Sequence, residues 1–354
     1  MAARHGEAAY LSCLAPAYRQ DVGGGVTLMG AGTNPLHHPG RIIAMIRDYD
    51  PTHLVIHGPM LRLLRASLSQ GVPVACMFAD SFAMGRLRRA LRFFGMVGLL
   101  NDPRIALVAN HGDNAARGLV DLGVDAGKVM AWDFPHARHP GQFAPRLRPG
   151  GVPYELLYVG SLEKRKGVGD LIRAMGLLRE RMPLRLNIIG TGRQQAFEAM
   201  VAAQNLGEHV RFLGRMANAE VFARMQQADA VVVPSRHAFP EGLPLTLYEA
   251  LAARAPVIAS DHPMFAGHLR HRETAMVFRS GDAKDLAAQI AALFADDDLY
   301  ARLSRDGEKA WNHMQVDAKW GDILDRWVHG SEQDQAWCRD NSFAARMDRV
   351  TYGS

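Results

Sequence analysis

The sequence contains few cysteines and no long run of apolar residues. Cys13, Cys76 and Cys338 are the three cysteines among 354 residues, and their wide spacing matches neither a disulfide framework nor a zinc site. The chain has no run of about 18 apolar residues, which a transmembrane helix would require, and Met1 to Gly6 lack the apolar stretch of a signal peptide. We therefore expect a soluble protein in the reducing cytoplasm.

Neither sign of charge dominates the chain. Forty-one Lys and Arg against 36 Asp and Glu give a formal net charge of +5. This excess suits anionic ligands or an anionic membrane surface, but it is too small to indicate nucleic acid as a partner. With 48% hydrophobic and 22% charged residues, the chain is not mainly disordered or fibrous. Its length predicts two domains.

Short apolar runs that end in small residues alternate with amphipathic segments along most of the chain. This pattern is typical of strands and helices arranged around parallel sheets. The runs of the second half are Leu156 to Val159, Leu186 to Ile189, Val210 to Leu213, Ala230 to Val233 and Val257 to Ala259. The fainter runs of the first half are Leu54 to Ile56, Val72 to Met77, Ile105 to Ala109 and Val129 to Trp132. The sequence thus predicts two α/β halves.

The boundary between the halves is indicated by proline and glycine, which cluster between Pro140 and Pro153 without periodicity. We expect a first domain over residues 1–140, a hinge and linker over 141–153, a second domain over 154–305 and C-terminal helices over 306–354. The first 40 residues are rich in glycine and give no secure assignment.

Three loops of the second half follow predicted strands. The first runs from Gly160 to Gly167 and contains Lys164, Arg165 and Lys166. A glycine at each end and the start of a helix near Val168 suit a phosphate group, although such a loop in isolation is more often a solvated basic turn. The others contain Gly190 and Gly192 and, after the third strand, Gly214, Arg215 and Met216. Ligands of parallel sheets bind at this edge, but the third glycine of a nicotinamide fingerprint is missing.

The most informative segment runs from Ala228 to Ala250. A buried strand ends at Val233, a loop follows, and a helix is predicted from about Leu243 with Pro244 in its first turn. Glu241 lies just before this helix and Glu249 about two turns along it. Two glutamates eight residues apart occur by chance in most chains of this length, so their place in a strand, loop and helix carries the signal.

Taken together, these segments resemble the donor domain of family 4 retaining glycosyltransferases. Val159 to Leu162 with Lys166 and Gly167 is similar to the family's phosphate loop, and Glu241 to Glu249 is similar to its E-x7-E signature. Ala255 to Asp261 resembles the strand that follows. The resemblance spans Tyr158 to about Asp282 in the expected order and implies the GT-B fold, which consists of two facing Rossmann-like domains with parallel sheets and an interdomain cleft. In this fold the last helix commonly crosses back to the first domain.

The resemblance also implies roles for individual residues. Glu241 and Lys166 would be catalytic, with Glu241 accepting hydrogen bonds from the donor sugar and Lys166 holding the diphosphate. Glu249 would bind both ribose hydroxyls, and the base would lie near Arg215 and Met216. Further donor contacts would come from Gly160, Ser161, Lys164, Arg165, Gly190 and Gly192 and from the amides of Gly242, Leu243, Leu245 and Thr246. No metal and no cofactor is expected.

Two positions depart from the family's pattern. Ser161 stands where an Arg usually follows the loop glycine, and we expect Lys164 or Arg165 to turn inward in its place. Ala79 stands where the first domain usually has a His that contacts the sugar, so Asp80 and His111 are the candidates on the acceptor side. Because the usual opening strand and glycine-rich loop are also hard to find, we expect an atypical or shortened first domain.

Two other charged segments have alternative interpretations. Phe82 to Leu100 alternates arginines with apolar residues, which suits either peripheral contact with an anionic membrane at its inner face or a helix packed on its own sheet. Asp296 to Asp298 contains D-x-D, but it follows a helical run, which favours a helix cap over a metal site.

We therefore expect a metal-independent, retaining glycosyltransferase that moves a sugar from a nucleoside diphosphate sugar to a hydroxyl of a glycan, lipid-linked or small-molecule acceptor. The alternatives are a nucleotide-sugar epimerase of the same fold and a catalytically silent subunit that binds nucleotide sugars or a partner. The missing cation and histidine at Ser161 and Ala79 motivate the silent alternative.

Overall fold

The computed structural model describes residues 6–13, 15–82, 93, 95–148 and 150–352, with side chains as far as Met347. The chain divides into two compact units. Unit 1 comprises residues 1–135 and 316–354, and unit 2 comprises residues 136–315. Within the described residues, no helix combines the length and apolar composition needed to cross a bilayer.

Unit 1 contains two sheets among its described residues. The first has the order β1-β3-β2, and the second is parallel throughout with the order β4-β5-β6-β7. The strands are β1 (Ala8–Ser12), β2 (Tyr18–Asp21), β3 (Val26–Gly30), β4 (Leu54–Ile56), β5 (Val74–Phe78), β6 (Ile105–His111) and β7 (Val129–Trp132). The helices are α1 (Pro39–Tyr49), α2 (Leu61–Leu68), α3 (Met96–Leu100), α4 (Asp113–Val120), α11 (Trp320–His329), α12 (Glu332–Asp340) and α13 (Phe343–Tyr352).

The first sheet accounts for the glycine-rich start of the chain. β2 and β3 form an antiparallel hairpin, and the three glycines between them, Gly23, Gly24 and Gly25, all adopt positive φ. Only glycine enters this region without steric cost, which explains the glycine run. These glycines therefore form a turn, in agreement with the lack of a helical pattern after them.

The parallel sheet of unit 1 carries that unit's core. Every residue of β5 is buried, as are all but one of β6 and all of β7, because helices cover both faces of such a sheet. Residues after 316 pack on the same core through Val316, Ile323 and Leu324. The C-terminal segment thus belongs to unit 1, and its backbone pairs with Asp133 at the end of β7 through Lys319.

Unit 2 is built on one sheet of six parallel strands with the order β10-β9-β8-β11-β12-β13. The strands are β8 (Tyr154–Val159), β9 (Leu184–Ile189), β10 (Val210–Gly214), β11 (Ala230–Val233), β12 (Val257–Ser260) and β13 (Met276–Phe278). The helices are α5 (Val168–Leu178), α6 (Gln194–Ala203), α7 (Asn218–Gln227), α8 (Leu245–Ala252), α9 (Ala283–Phe294) and α10 (Asp297–Met314). Strand order reverses between β8 and β11, which is the point where such sheets bind ligands.

The predicted helical stripe after β8 is confirmed. Val168, Leu171, Ile172, Met175 and Leu178 are all buried on α5. Packing of this stripe under the sheet fixes where α5 begins, at Val168, and so fixes the loop that precedes it. The segment expected as a hinge, 141–153, lies within unit 2, and Arg254 holds its start by donating to the carbonyls of Pro140 and Phe143.

Two local assignments are refined by the structure. The helix predicted from about Leu243 begins at Leu245, because Pro244 is extended and forms the cap. The D-x-D segment is a helix cap as expected, with the Asp296 carboxylate accepting from the Leu299 amide. Sequence reasoning missed β13, which has only three residues.

Candidate functional site

The site lies at the carboxyl edge of the unit 2 sheet, where the loops after β8 and β11 meet. The Nζ of Lys166, from the loop after β8, contacts Oε1 of Glu241, from the loop after β11. The second carboxylate oxygen of Glu241 accepts a hydrogen bond from the Ser235 hydroxyl. Glu241 is 6% exposed, so it is not a solvated loop carboxylate. A buried lysine–glutamate pair therefore occupies the switch point of the sheet.

Phe239 and His262 support this pair from one side. Lys166 Nζ lies 4.4 Å from the centroid of the Phe239 ring, within the range of cation–π attraction. The Nδ1 of His262 accepts from the Met264 amide, so the ring proton lies on Nε2 and is donated to the Phe239 carbonyl at 3.1 Å. Burial lowers the pKa of His262 and keeps the ring neutral. Sequence reasoning missed both residues, because neither belongs to a recognisable motif.

Close backbone contacts explain three of the glycines around the site. A Cβ on Gly167, which has φ +78°, would lie 1.9 Å from the Pro234 carbonyl oxygen, and one on Gly190 would lie 1.8 Å from that of Gly160. The Gly160 amide donates to the Ile189 carbonyl. The loops after β8, β9 and β11 are therefore packed backbone against backbone, whereas the approach of these glycines to a phosphate stays a prediction.

Ser161 is bound within its own loop. Its hydroxyl donates to Glu163 at 3.3 Å, and its carbonyl accepts from the buried Tyr158 hydroxyl at 2.8 Å. Burial raises the pKa of Tyr158, so this phenol stays protonated and remains a donor. The Ser161 side chain thus contacts Glu163, whereas the bond from Tyr158 is accepted by the backbone and does not depend on the side chain.

The other cations of the loop are exposed. Lys164 is at the surface, whereas Arg165 lies 5.6 Å from the centroid of the same Phe239 ring that Lys166 covers. Arg165 is also 3.7 Å from Glu163. Arg215 is exposed and Met216 half-buried after β10. The inward turn expected of Lys164 or Arg165 stays a prediction.

Glu249 faces a different set of groups from Glu241. Its side chain is hydrogen-bonded to Asn218 at the start of α7, and the charges of Arg138 and His136 act on it. Burial outweighs these partners and raises the pKa of Glu249. The guanidinium carbon of Arg138 lies over Phe222, 4.2 Å from its ring centroid. Glu249 is therefore a half-buried acceptor whose ionised form is costly to keep without a ligand.

The start of α8 lies between the two glutamates in the chain, because Glu241 precedes the helix and Glu249 lies within it. Its first amides, including those of Leu245 and Thr246, lack partners within the helix by geometry. Thr246 is further held by its hydroxyl, which donates to the Val159 carbonyl at 3.4 Å at the end of β8. Gly242 and Leu243, which precede the helix, are buried. The positive end of the α8 dipole and the amine of Lys166 thus flank Glu241.

The acceptor-side candidates of unit 1 are Asp80 and His111, and their acceptor role stays a prediction. The amide and carbonyl of Asp80 are paired with the side chain of Asn110. His111 is buried, stacks on Trp132 at 4.6 Å and is bonded to Asp133 at 3.3 Å. Asp133 is also 3.5 Å from Lys319, a contact that sequence reasoning missed. Residues 83–92 and 94 of the segment Phe82 to Leu100 lie outside the described residues.

Comparisons with known proteins agree with this geometry. Residues 145–310 match the sequence family described as glycosyl transferases group 1. Glycogen synthase of Mycobacterium tuberculosis H37Rv is 34% identical over 186 residues, which cover 52% of this chain and 43% of the relative. Phosphatidyl-myo-inositol mannosyltransferase of Mycolicibacterium smegmatis is 29% identical over 260 residues, covering 72% and 64%. The chain thus spans less than two thirds of either relative.

Solved structures show the same architecture. Sucrose-phosphate synthase from Thermosynechococcus elongatus aligns with a TM-score of 0.69 at 17% identity, over 88% of this chain and 86% of that one. Anabaena HepE, solved in complex with UDP-glucose, aligns with a TM-score of 0.64 at 16% identity, over 82% and 81%. At these identities the likeness shows the fold alone. The protein has the GT-B fold, and its residues 145–310 match the model of the glycosyl transferases group 1 family.

Proposed function

We propose that this protein is a retaining glycosyltransferase that moves a sugar from a nucleoside diphosphate sugar to an acceptor hydroxyl without a metal ion. The observation that carries the proposal is the contact of Lys166 with Glu241 at the switch point of the sheet, beside the start of α8. A cation and a helix amide end suit the diphosphate, and a buried carboxylate suits the hydroxyls of the sugar.

The charge balance of the site supports this division of roles. Lys166 and Glu241 carry opposite charges and contact each other. A diphosphate offers Lys166 a stronger anionic partner, which releases Oε1 of Glu241 to accept from sugar hydroxyls. Ser235 continues to hold Oε2, so the carboxylate keeps its orientation through the exchange. As the glycosidic bond breaks, Lys166 and the α8 amides offset the charge that develops on the leaving diphosphate.

Glu249 supports binding of the nucleoside in the same scheme. Its raised pKa reflects burial that a vicinal diol would compensate, because two ribose hydroxyls can donate to the two carboxylate oxygens. Asn218 fixes the carboxylate through its side-chain hydrogen bond. The nucleoside would therefore lie between α8 and the start of α7, close to Arg215 and Met216.

Retention is proposed from the side chains around Glu241. Ser235 holds Oε2 of this carboxylate, and Oε1, which contacts Lys166, would be taken by sugar hydroxyls, which suits an acceptor of hydrogen bonds better than a nucleophile. In the proposed reaction the diphosphate leaves on the face from which the acceptor arrives, and a phosphate oxygen takes the acceptor's proton. Products of this path keep the anomeric configuration of the donor.

The experiment begins with thermal shifts for UDP, GDP and ADP and for their glucose and mannose conjugates. A ligand at 100 times its Kd stabilises the folded state by about 2.7 kcal/mol, which raises the melting temperature by an amount that is easily measured. The donor identified in this way is then incubated with candidate acceptors, and NMR of the product gives its anomeric configuration. EDTA should leave the rate of transfer unchanged.

The outcomes separate the alternatives. Transfer with retention that is abolished by Glu241→Gln supports the proposal. Conversion of the donor sugar into its epimer without an acceptor indicates an epimerase. Binding without transfer or hydrolysis, unaffected by Glu241→Ala, indicates a silent binding subunit. Peripheral membrane contact through Phe82 to Leu100 rests on the sequence alone, and sedimentation with anionic liposomes at low salt tests it.

A further inference from the structure

A buried ion pair joins the two loops of the donor site at a second point. Asp170, in the first turn of α5, has no exposed side-chain surface. Arg236 donates to both of its oxygens, from Nε at 2.7 Å and from Nη2 at 2.6 Å. Arg173, one turn further along α5, contacts the same carboxylate. A paired geometry of this kind fixes direction as well as distance, because the guanidinium is planar.

The pair lies beyond the paired residues of β8 and β11. The two strands pair in register as far as Leu157 and Val231, and contacts outside the sheet hold the loops that follow. Asp170 comes four residues after Lys166, and Arg236 comes five residues before Glu241. The Arg236 amide also donates to the Arg165 carbonyl at 2.9 Å. Arg236 therefore binds the loop of Lys166 through its backbone and the following helix through its side chain.

We infer that Asp170 and Arg236 are positioning residues that set the distance between Lys166 and Glu241 for binding and transfer of the donor. The inference rests on the proposed function. Asp170 lies about one turn after Lys166, and Arg236 lies five residues before Glu241. The pair does not touch the donor in this scheme but fixes the backbone from which Lys166 and Glu241 extend. Arg173 shares the carboxylate but stays on α5, so it has no means of joining the loops.

This difference supplies a matched control. Arg236→Gln and Arg173→Gln each remove one partner of Asp170, but only the first removes the side-chain connection between α5 and the loop of Glu241. Arg236→Lys keeps the charge and loses the two-point geometry. Steady-state kinetics for the donor are measured at a temperature where circular dichroism shows each variant to be folded.

The expected result is a fall in kcat/KM of about 10²-fold for Arg236→Gln, the size of effect that a misplacement of about 1 Å produces. The donor KM should rise and kcat should fall together, because both held groups move. Arg236→Lys should recover part of the loss, and Arg173→Gln should stay within a fewfold of the wild type. Equal losses in the two Gln variants, or wild-type kinetics in Arg236→Gln, overturn the inference.

A ligand-free measurement keeps this test separate from the test of the function itself. Amide hydrogen exchange over residues 235–243 should become severalfold faster in Arg236→Gln and remain unchanged in Arg173→Gln. If the wild type neither binds a nucleoside diphosphate nor transfers a sugar, the proposed function fails while the exchange data still decide the positioning role. Equal exchange in both variants overturns it.

Discussion

Replacing Gly167 by alanine tests whether backbone contact between the loops controls the site. Gly167 has φ +78°, and a Cβ there would lie 1.9 Å from the carbonyl oxygen of Pro234. Alanine in the left-handed region costs roughly 1–2 kcal/mol by itself. In addition, the two loops must separate by about 1 Å before the contact becomes tolerable, and such a displacement costs about 10²-fold in rate. Gly167→Ala should therefore lose both stability and activity.

Gly267 provides the matched control for this substitution. It has φ +79°, lies in the same unit, and a Cβ there would meet nothing within 4 Å. Gly267→Ala should lose roughly 1–2 kcal/mol in urea unfolding, from the strain alone, and keep its kcat/KM. Gly167→Ala should lose more stability and about 10²-fold in kcat/KM for the donor found by thermal shift. If the two variants behave alike in both assays, loop contact does not control the site.

Three further substitutions test individual groups. Without added UDP, Glu249→Gln should melt at a higher temperature than the wild type, because burial disfavours the ionised carboxylate. The same variant should bind UDP about tenfold more weakly in calorimetry. Burial lowers the pKa of His262, so the unfolded chain takes up the imidazole proton at a higher pH than the folded protein does, and stability falls as pH drops below about 6.5. The melting temperature of His262→Gln should therefore fall less between pH 7 and pH 5 than that of the wild type. Arg165→Ala should weaken UDP binding by about tenfold, and Lys164→Ala by only about twofold, because Arg165 shares the Phe239 ring with Lys166; two silent variants would discard the inward turn.

The sequence predicts β8 to β12 of unit 2 because each is a short, mainly apolar run that ends in, or is followed by, a glycine, proline or serine. Ala230 to Val233 illustrates this, since every residue of β11 is buried. β2 lacks such a signal, because all four of its residues are exposed and polar or aromatic, and its pairing is set by a glycine turn. A strand can be predicted from a single sequence when its residues are buried against the rest of the fold, and intrinsic strand propensity contributes less.

Some residues of the site can likewise be predicted from the sequence and others cannot. Lys166 and Glu241 can be predicted because recognisable loop patterns precede and follow each of them, although 75 residues separate the two. Asp170 and Arg236 are 66 residues apart, and neither lies in a pattern that differs from a solvated helix or loop. Only the register of β8 with β11 brings them together. Side chains that position a site depend on tertiary pairing, which spacing along the chain does not encode.

The contact of Lys166 with Glu241 also bears on the order in which the proposed donor would be held. A free sugar offers Lys166 no anion, so its hydroxyls would have to displace the amine from Glu241 without compensation. A nucleoside diphosphate would displace the amine with compensation and leave Oε1 of Glu241 available. Under the proposed function, the sugar of an intact donor would therefore gain Glu241 as its hydrogen-bond acceptor only once the diphosphate is bound to Lys166. The lysine would then act on the sugar as well as on the phosphates, because its release frees the glutamate.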